Sequence, residues 1–204
     1  MLEEMSYNGS VNMSSLAVEH GQPRRFPITV EVYHFMAERG AFAPGERVEL
    51  LDGEIREMSP IGSLHARCVN LLSEFLNRNC SDQFIVSTQN PIILDDLSEP
   101  QPDICLLTRR PDYYRDSLPV ASDVHLIVEV ADSTVAYDRN RKFPKYANAG
   151  IKEAWLVDLE NERVEVHFQP EEDTFGMVRI FSRGKSITSE SFPDLTLEID
   201  RLFG

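Results

Sequence analysis

Residues 124–158 constrain the fold more than any other part of this sequence, because they place two apolar runs on either side of a short basic segment. The runs VHLIVEVAD and EAWLVDL have the length and apolar content of buried strands. The basic segment between them predicts a short helix around residues 139–149 that ends at Gly150. Two strands joined by a helix can pair in parallel, so a parallel pair across residues 138–150 is open to this chain.

The remaining segments predict a sheet with helices on its faces. We expect, in chain order, a helix from Thr29 to Gly40, a hairpin around Asp52 and Gly53, an amphipathic helix over Ser63–Cys80, and strands in QFIVSTQNPIIL, QPDICLLT and RVEVHFQ. This order predicts an α/β (α+β) fold with a central mixed sheet flanked by helices. Residues 26–204 are expected to form a single domain, and the polar residues 1–25 a flexible tail.

Composition narrows the classes of function. The formal charge of −14 and the pI near 4.7 argue against a protein that holds nucleic acid through an overall positive surface. Cys68, Cys80 and Cys105 lie in apolar contexts without paired spacing, which indicates buried free thiols in a reducing compartment. No run approaches the ~18 apolar residues of a membrane span. We therefore expect a cytoplasmic protein that does not enter membranes.

Two carboxylates form the strongest candidate site in the sequence. Asp103 lies near the start of one apolar strand and Glu129 near the end of another. If those strands are neighbours, the two carboxylates converge and require a shared proton or a divalent cation such as Mg²⁺. Lys142 lies about one helical turn beyond Asp138, a candidate N-cap, and could reach the same sheet edge.

A structural interpretation of the same residues stays open. A carboxylate in an apolar run needs a partner. Glu129 could therefore be held in a salt bridge by Arg139, Arg141 or Lys142, all of which follow it closely. Asp103 would then only begin its strand.

The ordered segments RVELLDGEIREMSP, QPDICLL, LIVEVADST and DRNRKFPKYANAGIKEAWLVD resemble a bacterial family of restriction-endonuclease-like proteins. That family is similar in fold to the PD-(D/E)xK nuclease superfamily, and the resemblance runs from Phe26 to the C-terminus. It implies a nuclease that hydrolyses phosphodiester bonds with Mg²⁺, or with Mn²⁺. It also implies nucleic acid, namely DNA, as the partner, and a homodimer.

The resemblance also implies roles for particular residues. Asp103 and Glu129 match the acidic positions of the superfamily pattern and would hold the metal together with the backbone carbonyl of Val130. The chain departs from the pattern at Ala131, where the superfamily has its lysine. In this family the lysine comes from the following helix, which implies Lys142. Its flexible stem spans roughly 6 Å, so it can deliver the ammonium to the same point.

Three further residues are candidate accessories. Glu54 in the hairpin could face the site, His65 could approach from the covering helix, and Gln89 could orient a water molecule or a phosphate. Each also has a structural alternative. Glu54 could be a solvated hairpin glutamate, His65 a hydrogen-bonded core histidine, and Gln89 only the end of a strand. Tyr146, four residues after Lys142, is expected to pack beneath it.

Basic residues cluster at 109–115 and 139–145, and Tyr113 and Tyr114 lie in the first cluster. They predict a local basic rim around Glu129 that would suit nucleic acid, or they are ordinary solvated loop charges. The alternative to a nuclease is a catalytically inactive, dimeric interaction module that keeps the nuclease fold. Ala131 and the acidic overall charge motivate this alternative.

Overall fold

The computed structural model describes residues 25–80 and 82–204, so all but Arg25 of the predicted tail at 1–25 lies outside the described residues. The helices are α1 (Val30–Glu38), α2 (Ser63–Cys80), α3 (Val135–Tyr137), α4 (Phe143–Asn148) and α5 (Asp200–Phe203), with a 3-10 turn at Ala121–Asp123 and a π-helical turn at Asp138–Lys142. The strands are β1 (Val48–Leu51), β2 (Glu54–Glu57), β3 (Phe84–Thr88), β4 (Ile104–Thr108), β5 (Val124–Ala131), β6 (Glu153–Asp158), β7 (Arg163–Glu171), β8 (Thr174–Ser182), β9 (Ser186–Thr188) and β10 (Thr196–Glu198). None of the described helices is long and apolar enough to cross a membrane.

A six-stranded mixed sheet with the order β3-β4-β5-β6-β7-β8 forms the centre of the molecule. Its neighbours are antiparallel except β5 and β6, which pair in parallel with Glu129 opposite Leu156. The chain crosses from β5 to β6 through α3, the π-helical turn and α4. The predicted mixed sheet is therefore confirmed, and the parallel pairing that the sequence left open is the one that β5 and β6 adopt.

Side-chain alternation along β5 divides the core into two layers. Leu126, Val128 and Val130 belong to the cluster that packs against α2, α5 and the small β9–β10 sheet. Ile127 and Ala131 belong to the cluster on the other face, which packs against the helical crossover. Glu129 alternates onto that second face, so its carboxylate is directed toward the helix that carries Lys142.

The helical crossover begins earlier than the sequence predicted. The expected helix at 139–149 with Asp138 as N-cap starts instead at Val135, and Asp138 lies inside it at the start of the π-helical turn. Thr134 is the residue at the N-cap position of this helix, and its hydroxyl donates to the Asp138 carboxylate over 2.8 Å. The predicted N-cap at Asp138 is wrong because helical backbone extends through that residue.

The β1–β2 hairpin forms the wall opposite the crossover. Its turn is made by Asp52 and Gly53, both at positive φ, as the sequence predicts. Any side chain at Gly53 would clash with Pro27, because its Cβ would lie 2.6 Å from the Cβ of Pro27. Leu50 forms an antiparallel bridge to Glu99, which ties the hairpin to the segment preceding β4. This bridge fixes Glu49, the residue before Leu50, beside the ends of the central strands.

Candidate active site

A cavity of about 350 Å³ opens between the β1–β2 hairpin, the start of α2, the ends of β4 and β5, and the helical crossover. Its charged lining is acidic: the acids are Glu49, Glu57, Asp103, Glu129, Asp132 and Asp138, and the bases are Arg47, Arg56 and Lys142. Six acids against three bases leave a surplus of negative charge. An anionic substrate would therefore enter this cavity only with cations to offset that charge.

Asp103 is held at the start of β4 by three hydrogen bonds. Its Oδ2 accepts from His65 Nε2 over 3.0 Å and from the Val130 N–H over 2.9 Å, and its Oδ1 accepts from Gln89 Nε2 over 3.1 Å. Burial acts to raise the pKa of Asp103, but His65, the Val130 N–H and Gln89 together hold that pKa below its usual value. The carboxylate is thus ionised and fixed in orientation.

Glu129 is 4 % exposed and uses one oxygen, Oε1, for two contacts. Lys142 Nζ lies 2.9 Å from this oxygen, and the Tyr146 hydroxyl donates to it over 2.5 Å. Burial raises the pKa of Glu129 to about 8, and the nearby charge of Lys142 opposes this rise. The Glu129 carboxyl therefore retains affinity for a proton at neutral pH.

Lys142 is 3 % exposed and lies between two carboxylates. Its Nζ is 2.9 Å from Glu129 Oε1 and 3.1 Å from Glu49 Oε2. Burial acts to lower the pKa of Lys142, but Glu129 and Glu49 hold it well above its usual range. The ammonium is therefore charged and buried within the wall of the cavity.

Glu49 is a buried acid of this site that the sequence interpretation missed. It is 4 % exposed, and its Oε2 also accepts a hydrogen bond from the Gln101 N–H over 3.2 Å. The signal that could have revealed it is the one that revealed Glu129, a carboxylate embedded in an apolar run, here VELL of β1.

The structure brings five of the predicted site residues together and leaves one outside. Asp103, Glu129, Val130, Lys142 and His65 all line the cavity. Gln89 is connected to the cavity indirectly, because its side chain donates a hydrogen bond to Asp103. Glu54 is not part of the lining, and its carboxylate is paired with Arg25 and Arg56.

The predicted basic rim does not form around Glu129. Residues 109–115 follow the end of β4, whereas Asp103 precedes its start, and a five-residue strand separates its ends by about 17 Å. In the 139–145 segment each base faces an acid: Arg139 pairs with Glu165, Arg141 and Lys145 with Asp52, and Lys142 with Glu49 and Glu129. The bases that line the cavity besides Lys142 are Arg47 and Arg56.

The Arg139–Glu165 pair predicts a pH dependence of stability. Burial acts to raise the pKa of Glu165, but hydrogen bonds from His167 and Arg139 lower it to about 2. Because the folded-state pKa is depressed, the stabilisation is present above the ordinary glutamate pKa of about 4.3 and is lost as pH falls toward 2. We expect Glu165→Gln to unfold at a lower temperature than the wild type at pH 7, with a difference that narrows between pH 4.5 and 2. Thermal unfolding followed by circular dichroism measures this difference.

The exposed pair of Glu162 and Arg183 provides the control for that measurement. Since exposed ion pairs contribute little, Glu162→Gln should change the unfolding temperature far less at every pH. A Glu165→Gln protein whose deficit is the same at pH 3 and pH 7 would contradict the assigned role of the pair.

The donor set fits a hard divalent cation. No three or more His, Cys, Asp or Glu side chains are grouped as metal ligands in residues 25–80 and 82–204. Mg²⁺, however, takes only one or two carboxylates and keeps several waters. The Leu159 N–H donates to the Ala131 carbonyl on the β6 side, so the Val130 carbonyl faces the β4 side, where the Val130 N–H meets Asp103. Two carboxylates and one carbonyl thus share this edge of the sheet.

A mixed sheet with acids at two adjacent strands is consistent with the restriction-endonuclease-like fold that the sequence predicts. A solved structure with the same fold is that of a putative nuclease belonging to DUF820 from Anabaena variabilis ATCC 29413. It aligns with a TM-score of 0.66 and 16% sequence identity over 87% of this chain and 98% of that chain. The model of the family Uma2, putative restriction endonuclease, matches residues 30–200, and the chain belongs to this family. No curated protein matches it.

Proposed function

We propose that this protein is a nuclease that hydrolyses phosphodiester bonds of DNA with Mg²⁺, or with Mn²⁺ in its place. The observation that carries the proposal is the meeting of Asp103 and Glu129 on adjacent strands in a cavity whose wall contains the buried ammonium of Lys142. Asp103, Glu129 and the Val130 carbonyl would hold the metal ion. When bound, that ion supplies Lewis-acid stabilisation of the phosphate charge and a water molecule of lowered pKa.

The protein groups have separate tasks in this proposal. Asp103 needs no reorientation to bind a cation, because three hydrogen bonds already fix its carboxylate. Lys142 would stabilise the negative charge that develops on the phosphate, or orient the attacking water. Its position on the π-helical turn, rather than on β5, accounts for Ala131 at the strand position where the superfamily has lysine.

The proposed substrate must overcome the acidic lining of the cavity. A phosphodiester carries negative charge, so it would approach six carboxyl groups. A divalent cation offsets part of that charge, and Arg47 and Arg56 offset more at the hairpin wall. DNA is the substrate that the family description favours.

The proposal includes a homodimer in the cytoplasm. Two copies of one active site related by a twofold axis are suited to cutting the two strands of a duplex. Cys68, Cys80 and Cys105 are buried free thiols, which suits a reducing compartment. Light scattering coupled to size-exclusion chromatography tests the dimer directly, and a monomeric mass would remove it from the proposal.

The first experiment is incubation of the purified protein with labelled single- and double-stranded DNA and RNA, with Mg²⁺, Mn²⁺ or EDTA. Asp103→Asn is the test variant, and Asp173→Asn, at an exposed residue of the β7–β8 turn, is the matched control. Cleavage that needs metal and Asp103 but not Asp173 supports the nuclease. Survival of every substrate would overturn it.

A specific observation favours one rival. Lys142 is held by two carboxylates and Ala131 replaces the strand lysine, an arrangement that a catalytically inactive, dimeric interaction module would also tolerate. Calorimetric titration with Mn²⁺ separates the two proposals, because the inactive module needs no metal. Absence of binding at millimolar Mn²⁺ together with a folded dimer would favour the module.

His65 should tune the affinity for that metal ion. Its Nε2 hydrogen bond orients Asp103, and loss of such an outer partner typically weakens metal binding about 10- to 100-fold. We expect His65→Ala to raise the Kd for Mn²⁺ by that factor in calorimetry. His125→Ala, at a histidine that contacts Thr108 instead, is the control. Equal affinities for the His65→Ala and wild-type proteins would show that this contact is only structural.

A further inference from the structure

The cavity wall contains a tyrosine whose hydroxyl has no partner. Among the side chains of residues 25–80 and 82–204, the buried polar atoms without a hydrogen bond are Tyr137 Oη and His65 Nδ1. Both residues line the candidate active site. Leaving a buried hydroxyl unsatisfied costs about 1–3 kcal/mol, and phenylalanine would fill the same space without that cost.

The surroundings of Tyr137 favour an anionic acceptor for this hydroxyl. Burial, followed by the charge of Glu49, raises the pKa of Tyr137, so the phenol stays protonated and can donate. The cations that act on it electrostatically are Lys142, Arg56 and Arg141. A neutral hydrogen-bond donor in a cavity wall that also contains Arg56 and Lys142 is a suitable environment for a phosphate oxygen.

The position of Tyr137 in the chain places it beside the reacting groups. It is the last residue of α3 and directly precedes the π-helical turn that carries Asp138 and Lys142. Single π-helical turns inside helices occur frequently at functional sites. Lys142, at the end of this π-helical turn, and Tyr137, directly before it, both line the cavity.

We infer that Tyr137 is a substrate-binding residue whose hydroxyl donates a hydrogen bond to a non-bridging oxygen of the bound phosphodiester. This inference rests on the proposed nuclease function. It adds a neutral donor to the cationic Lys142 at the phosphate. Since the hydrogen bond forms in the bound substrate and persists in the transition state, its removal weakens binding without slowing the chemical step.

The test is the isosteric variant Tyr137→Phe, compared in cleavage kinetics and thermal unfolding with the wild type. We expect KM to rise about 10-fold, which is typical for one hydrogen bond to a charged group, with kcat unchanged. We also expect the unfolding temperature to be equal or higher, because the hydroxyl makes no hydrogen bond to the protein. Fluorescence anisotropy of a labelled oligonucleotide in Ca²⁺ should show the same loss of affinity.

Tyr33→Phe is the matched control. The Tyr33 hydroxyl donates to the Val48 carbonyl over 3.0 Å, outside the cavity lining. Its removal should lower the unfolding temperature and leave KM unchanged, the reverse of the Tyr137 result. With an active wild type, equal KM and equal anisotropy for Tyr137→Phe would overturn this inference alone. A wild type that neither binds nor cleaves any nucleic acid would overturn the proposed function, and this inference with it.

Discussion

Replacing Lys142 with methionine should destabilise the protein by about 3–5 kcal/mol, which is the usual cost of removing one partner from a buried ion pair. Methionine keeps much of the side-chain volume but removes the charge that lies 2.9 Å from Glu129 and 3.1 Å from Glu49. Both carboxyl groups are 4 % exposed, so water cannot replace the ammonium without opening the site. Unfolding in guanidinium chloride measures the loss as a lower midpoint.

A double variant isolates the electrostatic cause of that loss. Lys142→Met combined with Glu49→Gln removes one of the two carboxylates together with the ammonium, and should regain part of the lost stability. The cost of Lys142→Met should also be larger at pH 9 than at pH 6. The charge of Lys142 lowers the pKa of Glu129, so this pKa is higher in the variant. As pH falls, Glu129 therefore becomes protonated more readily in the variant, and the cost of burying its negative charge disappears. A loss of stability that is independent of both Glu49 and pH would assign it to packing instead.

The sheet could be predicted from the sequence because apolar runs and turn residues report backbone geometry directly. β5 is buried on both faces, so VHLIVEVA is almost uninterrupted, and the Asp52–Gly53 turn requires the positive φ that these residues tolerate. Helix α1 shows the limit of this reasoning. The helix was predicted, yet none of its residues is buried, and Val32 and Phe35, three positions apart on one helical face, are 41 % and 55 % exposed.

The charged partners of the site could be predicted only in part. Side-chain alternation places Glu129 on the face of the crossover helix, and the i, i+4 spacing places Lys142 and Tyr146 together. Glu49 comes from a hairpin about 80 positions earlier in the sequence than Glu129, and no local period links the two. The basic rim failed for a related reason, because the ion pairs of Arg139, Arg141 and Lys145 depend on how separate segments pack.

Glu129→Gln should abolish most cleavage while leaving the fold as stable as the wild type. In the variant, Lys142 keeps Glu49 as its counter-ion. Because burial raises the pKa of Glu129 to about 8, an uncharged amide at this position avoids the cost of burying a negative charge. The amide oxygen can still accept from Tyr146, as Glu129 Oε1 does. Unfolding in guanidinium chloride at pH 7 measures the stability, and we expect equal midpoints for the variant and the wild type.

The loss of cleavage has a different origin from any effect on folding. A neutral amide binds a divalent cation more weakly than a carboxylate does, because it supplies no negative charge, and the charge stabilisation supplied by that cation is worth several kcal/mol. Since about 1.4 kcal/mol corresponds to a tenfold change in rate, the rate should fall about 10³-fold, with Glu160→Gln, at an exposed residue, as the control. Wild-type cleavage by Glu129→Gln would mean that Glu129 serves only to pair with Lys142. Lost cleavage with retained stability would separate catalysis from architecture at this carboxylate, because the pairing of Lys142 requires only Glu49.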